Sequence, residues 1–218
     1  MFDKGLSSMV KKRENMLLDN STEEKIKESA RKVFLKKGYA ATRTRDIAEG
    51  AGINLALLNY YFRSKEKLFE LIMLETMFSF MQKMAVVLND EDSKLEKKVE
   101  LIASNYIDFF TEEPNVPIFV LNEMHKNPRL LFDTLPVREL FFNSVFFRQY
   151  QTQVAKGKIK EGNPANFLIN MMSLIIFPFV GSPIFKLITG TLDAQYLELM
   201  QERKKLIPRW VKAMMKSM

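Results

Sequence analysis

Apolar residues recur three and four positions apart along most of this 218-residue chain. That is the spacing of amphipathic helices, and few stretches alternate at the period of a strand. Ile26, Ala30, Val33 and Phe34 trace the first apolar face. Ser21 with Glu24 three residues on forms a capping box ahead of it, and Lys36, Lys37 and Gly38 close it. Thr42 caps a second, short helix that runs to about Glu49. Gly50 and Gly52 shape a turn, and Asn54, among the best N-caps, opens a third short helix to about Tyr61. Ser64 caps a fourth helix, reaching Leu88, long enough to leave one small domain and enter the next. The polar stretch Asn89–Ser93 ends it.

Beyond that loop the spacing predicts a helix over Lys94–Thr111, another near Ile118–Lys126, a short segment at Arg129–Phe132 and a long aromatic helix over Val137–Lys156, ended by Gly157. Asn163-Pro164, a cap followed by a first-turn proline, starts a helix that is apolar on nearly every side through Ile176. Pro178, Gly181 and Pro183 bend or break it. The last helix begins near Asp193 and extends toward Lys216, with Pro208 expected to kink it. The prediction is an all-α chain. Residues 1–20 form a flexible N-terminal arm, residues 21–67 a helix-turn-helix domain, and residues 68–218 a larger helical domain.

Composition sharpens this picture at three points. Eight Gly, eight Pro, 18 Phe and 14 Met suit a helical chain with a bulky, adaptable core. With no cysteine, a disulfide scaffold, a thiolate zinc site and a Cys nucleophile are excluded. The formal charge is +7, and residues 21–67 alone carry 11 Lys+Arg against 6 Asp+Glu. That excess favours a polyanionic partner for the segment holding the turn. Lys11, Lys12 and Arg13 could reach a phosphate or a minor groove, although a solvated tail is the simpler reading. No secretory-type apolar run opens the chain. The longest apolar stretch, Phe167–Val180, is interrupted and falls short of the roughly 20 residues a bilayer span needs. A soluble, cytoplasmic protein without membrane association is expected.

The turn carries the chemistry. In Thr42–Phe62, TRTRDIAEGAGINLALLNYYF, packing Ile47, Ala48, Ile53, Leu58 and Phe62 inward leaves Leu55, Ala56, Asn59 and Tyr60 on the opposite side. Two helices at a steep angle, the second free to enter a groove of DNA, are the helix-turn-helix arrangement. Leu55 can pack on a thymine methyl. Asn59 can pair bidentately with adenine, worth about 1–3 kcal/mol of discrimination. An A/T-leaning half-site follows. Asn54 caps its helix, and from that position its amide can also reach a phosphate or base edge.

The run TEEKIKESARKVFLKKGYAATRTRDIAEGAGINLALLNYYFRSKEKLFELI resembles the DNA-binding region of the TetR family of transcriptional repressors. G-Y-x-x-T, R-D-I-A, A-G-I, YF and S-K-E-x-L-F fall at that family's spacing over Ser21–Met73, about a quarter of the chain. The resemblance implies that Thr42 and Arg43 meet the phosphate backbone. It also implies that Arg45 reaches a phosphate or a guanine edge, that Tyr60 and Tyr61 lie on phosphates, and that Lys65 binds one. Leu55 and Asn59 depart from the Lys and Tyr common in the family at those positions, which bears on base preference. A double-stranded, palindromic operator and a homodimer joined through the last two long helices, Pro164–Phe177 and Asp193–Lys216, are implied as well.

The resemblance further implies that the larger domain senses a small lipophilic effector and that filling its pocket moves helix four and releases the operator. Phe78, Met81, Phe109, Phe110, Phe142, Phe146 and Phe177 are the candidate lining, each also readable as ordinary core. Trp210, the single Trp, either anchors the dimer or caps a core. His125, the single histidine, has no second ligand near it, and neither a metal nor a cofactor is expected. No Ser-His or paired-carboxylate pattern supports an enzyme. A helical small-molecule-binding protein, and a DNA-binding regulator with no ligand, stand as the alternatives.

Overall fold

A computed structural model describes residues 3–216, with side chains described for residues 21–131 and 133–216. The expected N-terminal arm and its Lys11, Lys12 and Arg13 side chains lie outside the latter. Twelve helices follow one another, and the described residues contain no strand. The chain divides into two compact units inside one helix, at Glu75.

In the first unit α1 (Asp3–Ala41) is followed by α2 (Thr44–Gly50), α3 (Leu55–Tyr61) and the start of α4 (Lys65–Asn89). The backbone of α1 begins upstream of Ser21, because no glycine or proline between Gly5 and Gly38 interrupts it. Gly38 does break it, with φ +74, and Tyr39 turns back onto Phe34 and Phe69. Ile26, Ala30 and Phe34 are buried, with Ile47, Ala48, Leu58, Leu68 and Ile72. Glu75 accepts from Lys27 Nζ (2.9 Å) and Arg31 Nη2 (2.6 Å), pinning α4 to α1 eight residues beyond the expected boundary at Lys67. Burial pushes the Lys27 ammonium down, but Glu24 and Glu75 together hold it above its ordinary value.

The second unit starts at Thr76, within α4. α4 is long and apolar enough to cross a membrane by length and composition. Met77, Phe80, Met84 and Leu88 are nevertheless buried in protein, as in a core helix. α5 (Leu95–Glu112) packs against α12 (Asp193–Lys216), α9 (Val145–Ala155) and α10 (Pro164–Val180). α6 (Val116–Lys126), α7 (Pro128–Thr134) and α8 (Val137–Phe142) form short steps, and α11 (Ser182–Thr189) follows α10. The fully buried Lys98 ammonium is satisfied by Asp90 O, Ser93 O (2.7 Å) and Ser93 Oγ (2.8 Å). Three acceptors match its three donors, which is what a buried ammonium requires.

Two further points differ from expectation. The aromatic run Val137–Lys156 is two helices: Ser144 is buried, donates to Phe141 O (2.6 Å) and accepts from the Phe147 N–H (3.1 Å), so it stops α8 and caps α9. α10 passes through Pro178 to Val180, and of the expected breakers Gly181 is where the chain turns, α11 starting with a bend of 72°. A Cβ at Gly181 would sit 2.8 Å from the Phe185 ring, so a glycine suits this corner. α12 spans Asp193–Lys216 with Pro208 inside it.

Phe146 is completely buried beside Phe141 and Phe167. Phe146→Ala is expected to lower the unfolding free energy by about 3–5 kcal/mol, read from urea denaturation of the second unit.

Candidate nucleic-acid interface

Local chemistry forces the turn between α2 and α3. The Ala51 N–H donates to Ile47 O (3.0 Å) and the Ile53 N–H to Ala48 O (3.0 Å), which reverses the chain tightly. Gly52 takes φ +67, a left-handed conformation that a side chain disfavours. At Gly50 a Cβ would lie 2.5 Å from Ser29 Oγ, which itself donates to Ile47 O (2.8 Å) from α1. A larger residue there would push α2 off α1. Asn54 Oδ1 then accepts from the Leu57 N–H (2.8 Å) and starts α3.

α3 consequently points one side inward and one outward. Leu58 and Phe62 are buried and Ile53 half-buried, while Leu55, Ala56, Asn59 and Tyr60 are exposed, as the residue pattern predicts. Tyr60 is 76% exposed and meets Tyr61 edge-on at 5.4 Å; Tyr61 is half-buried. The exposed Leu57 and Arg63 extend this surface and were not among the sequence candidates. Leu57 is hard to foresee, since it sits beside the inward Leu58. Arg63 follows the last helical residue, so helical periodicity does not reach it.

Around this face the cations divide. Arg43 and Arg45 are exposed, and Arg45 has no ion pair with Glu49. Lys32 pairs with Glu28 (2.7 Å) and Lys37 with Asp46 (3.0 Å), so these two are occupied within the protein.

One expected contact needs correcting, and a second is shared with the protein itself. Thr42 is 2% exposed and its hydroxyl donates to Gly38 O (2.7 Å), so that hydroxyl does not face a phosphate. It also does not cap α2: Arg43 is the N-cap residue, and its N–H donates to the Asp46 carboxylate (3.0 Å). Lys65 Nζ donates to Tyr39 O and Thr42 O, both at 2.9 Å, and lies 4.3 Å from the Tyr39 ring centroid. Two of its three donors thus close the C-terminal end of α1, and one remains for a phosphate.

The seven candidate effector residues do not form one cluster. Phe78, Phe142 and Phe177 are on the surface. Phe146 belongs to the Phe141 and Phe167 cluster, while Phe109 and Phe110 belong to another with Phe80, Tyr106 and Phe179. Met81 is half-buried on α4. In the second cluster Tyr106 is packed edge-on against Phe80 (4.7 Å), and burial pushes its phenol up to about 12. His125 is exposed on α6, its Nδ1 2.8 Å from Leu121 O.

Residues 26–72 match the family model described as bacterial regulatory proteins, tetR family. Over 179 residues, 73% of this chain and 78% of the relative, the chain is 26% identical to the probable HTH-type transcriptional regulator YttP of Bacillus subtilis (strain 168). A transcriptional regulator of the TetR/AcrR family from Thermobifida fusca superposes with a TM-score of 0.64 at 18% identity, covering 87% of this chain and 96% of that one. The regulator FadR from Bacillus subtilis, in complex with stearoyl-CoA, gives 0.57 at 19% identity, covering 84% and 96%. At such identities the structures speak for the fold.

The interface is sensitive to acid. The Lys37 ammonium, and then the Arg43 N–H, hold the Asp46 carboxyl below its ordinary value. A carboxyl lowered in the folded state stabilises above its unfolded value and loses that contribution as pH falls through the folded one. The thermal midpoint of the first unit is therefore expected to drop below about pH 4 more steeply than that of Asp46→Asn.

Proposed function

We propose that this chain, a member of the TetR family of bacterial regulatory proteins, is a repressor that binds a two-fold symmetric operator as a homodimer and leaves it when a lipophilic molecule occupies the second unit. DNA binding by a helix-turn-helix regulator is the firm part of this reading. The observation that carries it is the exposed face of α3. Asn59 and Tyr60 stand in water while Leu58 on the inward side of α3 is buried, and Arg43, Arg45 and Arg63 are exposed beside them. Side chains of this kind read base edges while cations hold the backbone. The protein would work in the cytoplasm, where its DNA lies.

Support for a dimer comes from the second unit. α10 buries only Phe167, Met171 and Ile175, and leaves Ile169 and Phe177 exposed. Leu187 (80% exposed), Ile188 (72%) and Leu192 (71%), on α11 and just after it, add further exposed apolar side chains. A second copy would cover them and set two α3 helices roughly 34–36 Å apart, one turn of DNA, or a longer spacing. Trp210, half in water against Arg203 (5.1 Å), sits on α12.

The effector is best sought around Tyr106. Phe80, Phe109, Phe110 and Phe179 make an apolar environment with one phenol that has no hydrogen-bond partner among the described contacts. A lipophilic ligand with one polar group suits such a site. The stearoyl-CoA held by FadR is a precedent on the same fold. α4 belongs to both units, so a ligand that prefers one position of α4 would shift the population toward it.

Selection of bound duplexes from random DNA tests the whole reading. Symmetric, A/T-leaning sites should be enriched, and a long-chain acyl-CoA or free fatty acid should release them. Enrichment of nothing removes the DNA reading, and retention with every lipophilic compound removes the effector. Asn59→Ala should weaken the preferred half-site by about 1–3 kcal/mol in gel shift while leaving scrambled DNA unaffected. Leu187→Glu with Ile188→Glu should run as a monomer in light scattering and lose cooperative operator binding.

A further inference from the structure

One groove in the second unit is not accounted for by DNA binding, dimerisation or the aromatic cluster. It has a volume of about 940 Å³ and lies among the N-terminal end of α5, α9 with the turn after it, and the C-terminal end of α12. That volume is within the range of about 300–1,000 Å³ typical of small-molecule sites. Lys94, Arg148, Lys158, Lys160, Lys212 and Lys216 line it against a single acid, Glu96. Arg148 reaches the exposed Glu91 at 3.8 Å and Asn143 O at 3.4 Å. The five lysines have no ion pair or side-chain hydrogen bond.

Placing five free ammonium groups around one concavity is unfavourable unless something negative joins them. Part of the pattern has an internal explanation. Lys158 and Lys160 follow the C-terminal end of α9, and Lys212 and Lys216 lie in the last turns of α12, where the helix ends favour cations. Lys94 has no such explanation. It is the N-cap residue of an 18-residue helix, gives that end no side-chain cap, and adds positive charge where the helix already has it. An uncapped helix N-terminus beside lysines is a site for phosphate.

One further feature narrows the ligand. Leu95, Val145, Ile159 and Met215 supply an apolar floor. We propose that this groove binds a nucleoside phosphate. Its phosphates lie on the lysines and the α5 N-terminus, and its base covers the apolar floor.

The test is calorimetric titration of the full chain with ATP, free of magnesium, in about 0.1 M salt, where surface charge is partly screened. Saturable binding with Kd below about 1 mM is expected. Lys158→Gln/Lys160→Gln/Lys212→Gln, all exposed and checked for unchanged helicity by circular dichroism, should weaken ATP at least about tenfold. No saturation by about 10 mM ATP, or equal affinity of wild type and triple variant, overturns the proposal. Equal affinity of the wild type for ATP and tripolyphosphate overturns the nucleoside assignment. A triple variant that loses duplex DNA but keeps ATP makes the groove a nucleic-acid surface and likewise overturns it. The ATP and tripolyphosphate outcomes leave the selection of operator DNA through α3 untouched.

Discussion

The close approach of α2 to α1 is the constraint on which the rest of the N-terminal unit depends. It is possible because Gly50 has no side chain to strike Ser29, whose hydroxyl instead holds Ile47 O. Gly52 then reverses the backbone at positive φ, and Asn54 restarts it as a helix. With α2 seated and Leu58 buried, the rotation of α3 is set, and Asn59 and Tyr60 are left in water. Function here is a by-product of packing: the inward residues choose which residues remain outside.

The same unit spends some of its charge on itself. Thr42, which resemblance assigns to a phosphate, bonds Gly38 O instead, and Lys65 spends two of its three donors on Tyr39 O and Thr42 O. Arg43, Arg45 and Arg63 stay exposed, available for the proposed attraction to DNA. In the second unit the distribution is reversed, with apolar residues left unburied along α10 and α11. Exposed apolar residues of this kind are what the proposed association of two copies would cover.

Much of this was legible in the sequence where a residue's chemistry acts locally. The caps at Asn54, Ser64 and Asn163 rest on interactions within three residues, and the two faces of α3 on its own periodicity. What was not legible is which partner a polar side chain takes once packing has buried it. Ser144 divides the aromatic run because, buried, it bonds Phe141 O and the Phe147 N–H, and Thr42 turns inward to Gly38 O. Phe residues at helical spacing look alike from the sequence, whether they end in a core, as Phe146 does, or in water, as Phe177 does. For that reason the candidate effector lining mixes buried and exposed rings.

The central claim, that the outward side of α3 lies on the bases, is tested most directly by photo-crosslinking to selected operator DNA. A photoreactive side chain at position 59 should cross-link to bases in the centre of each half-site, and one at position 35, exposed on the outer side of α1, should not. Equal yields at the two positions, or none at position 59 while the operator is bound, would contradict it.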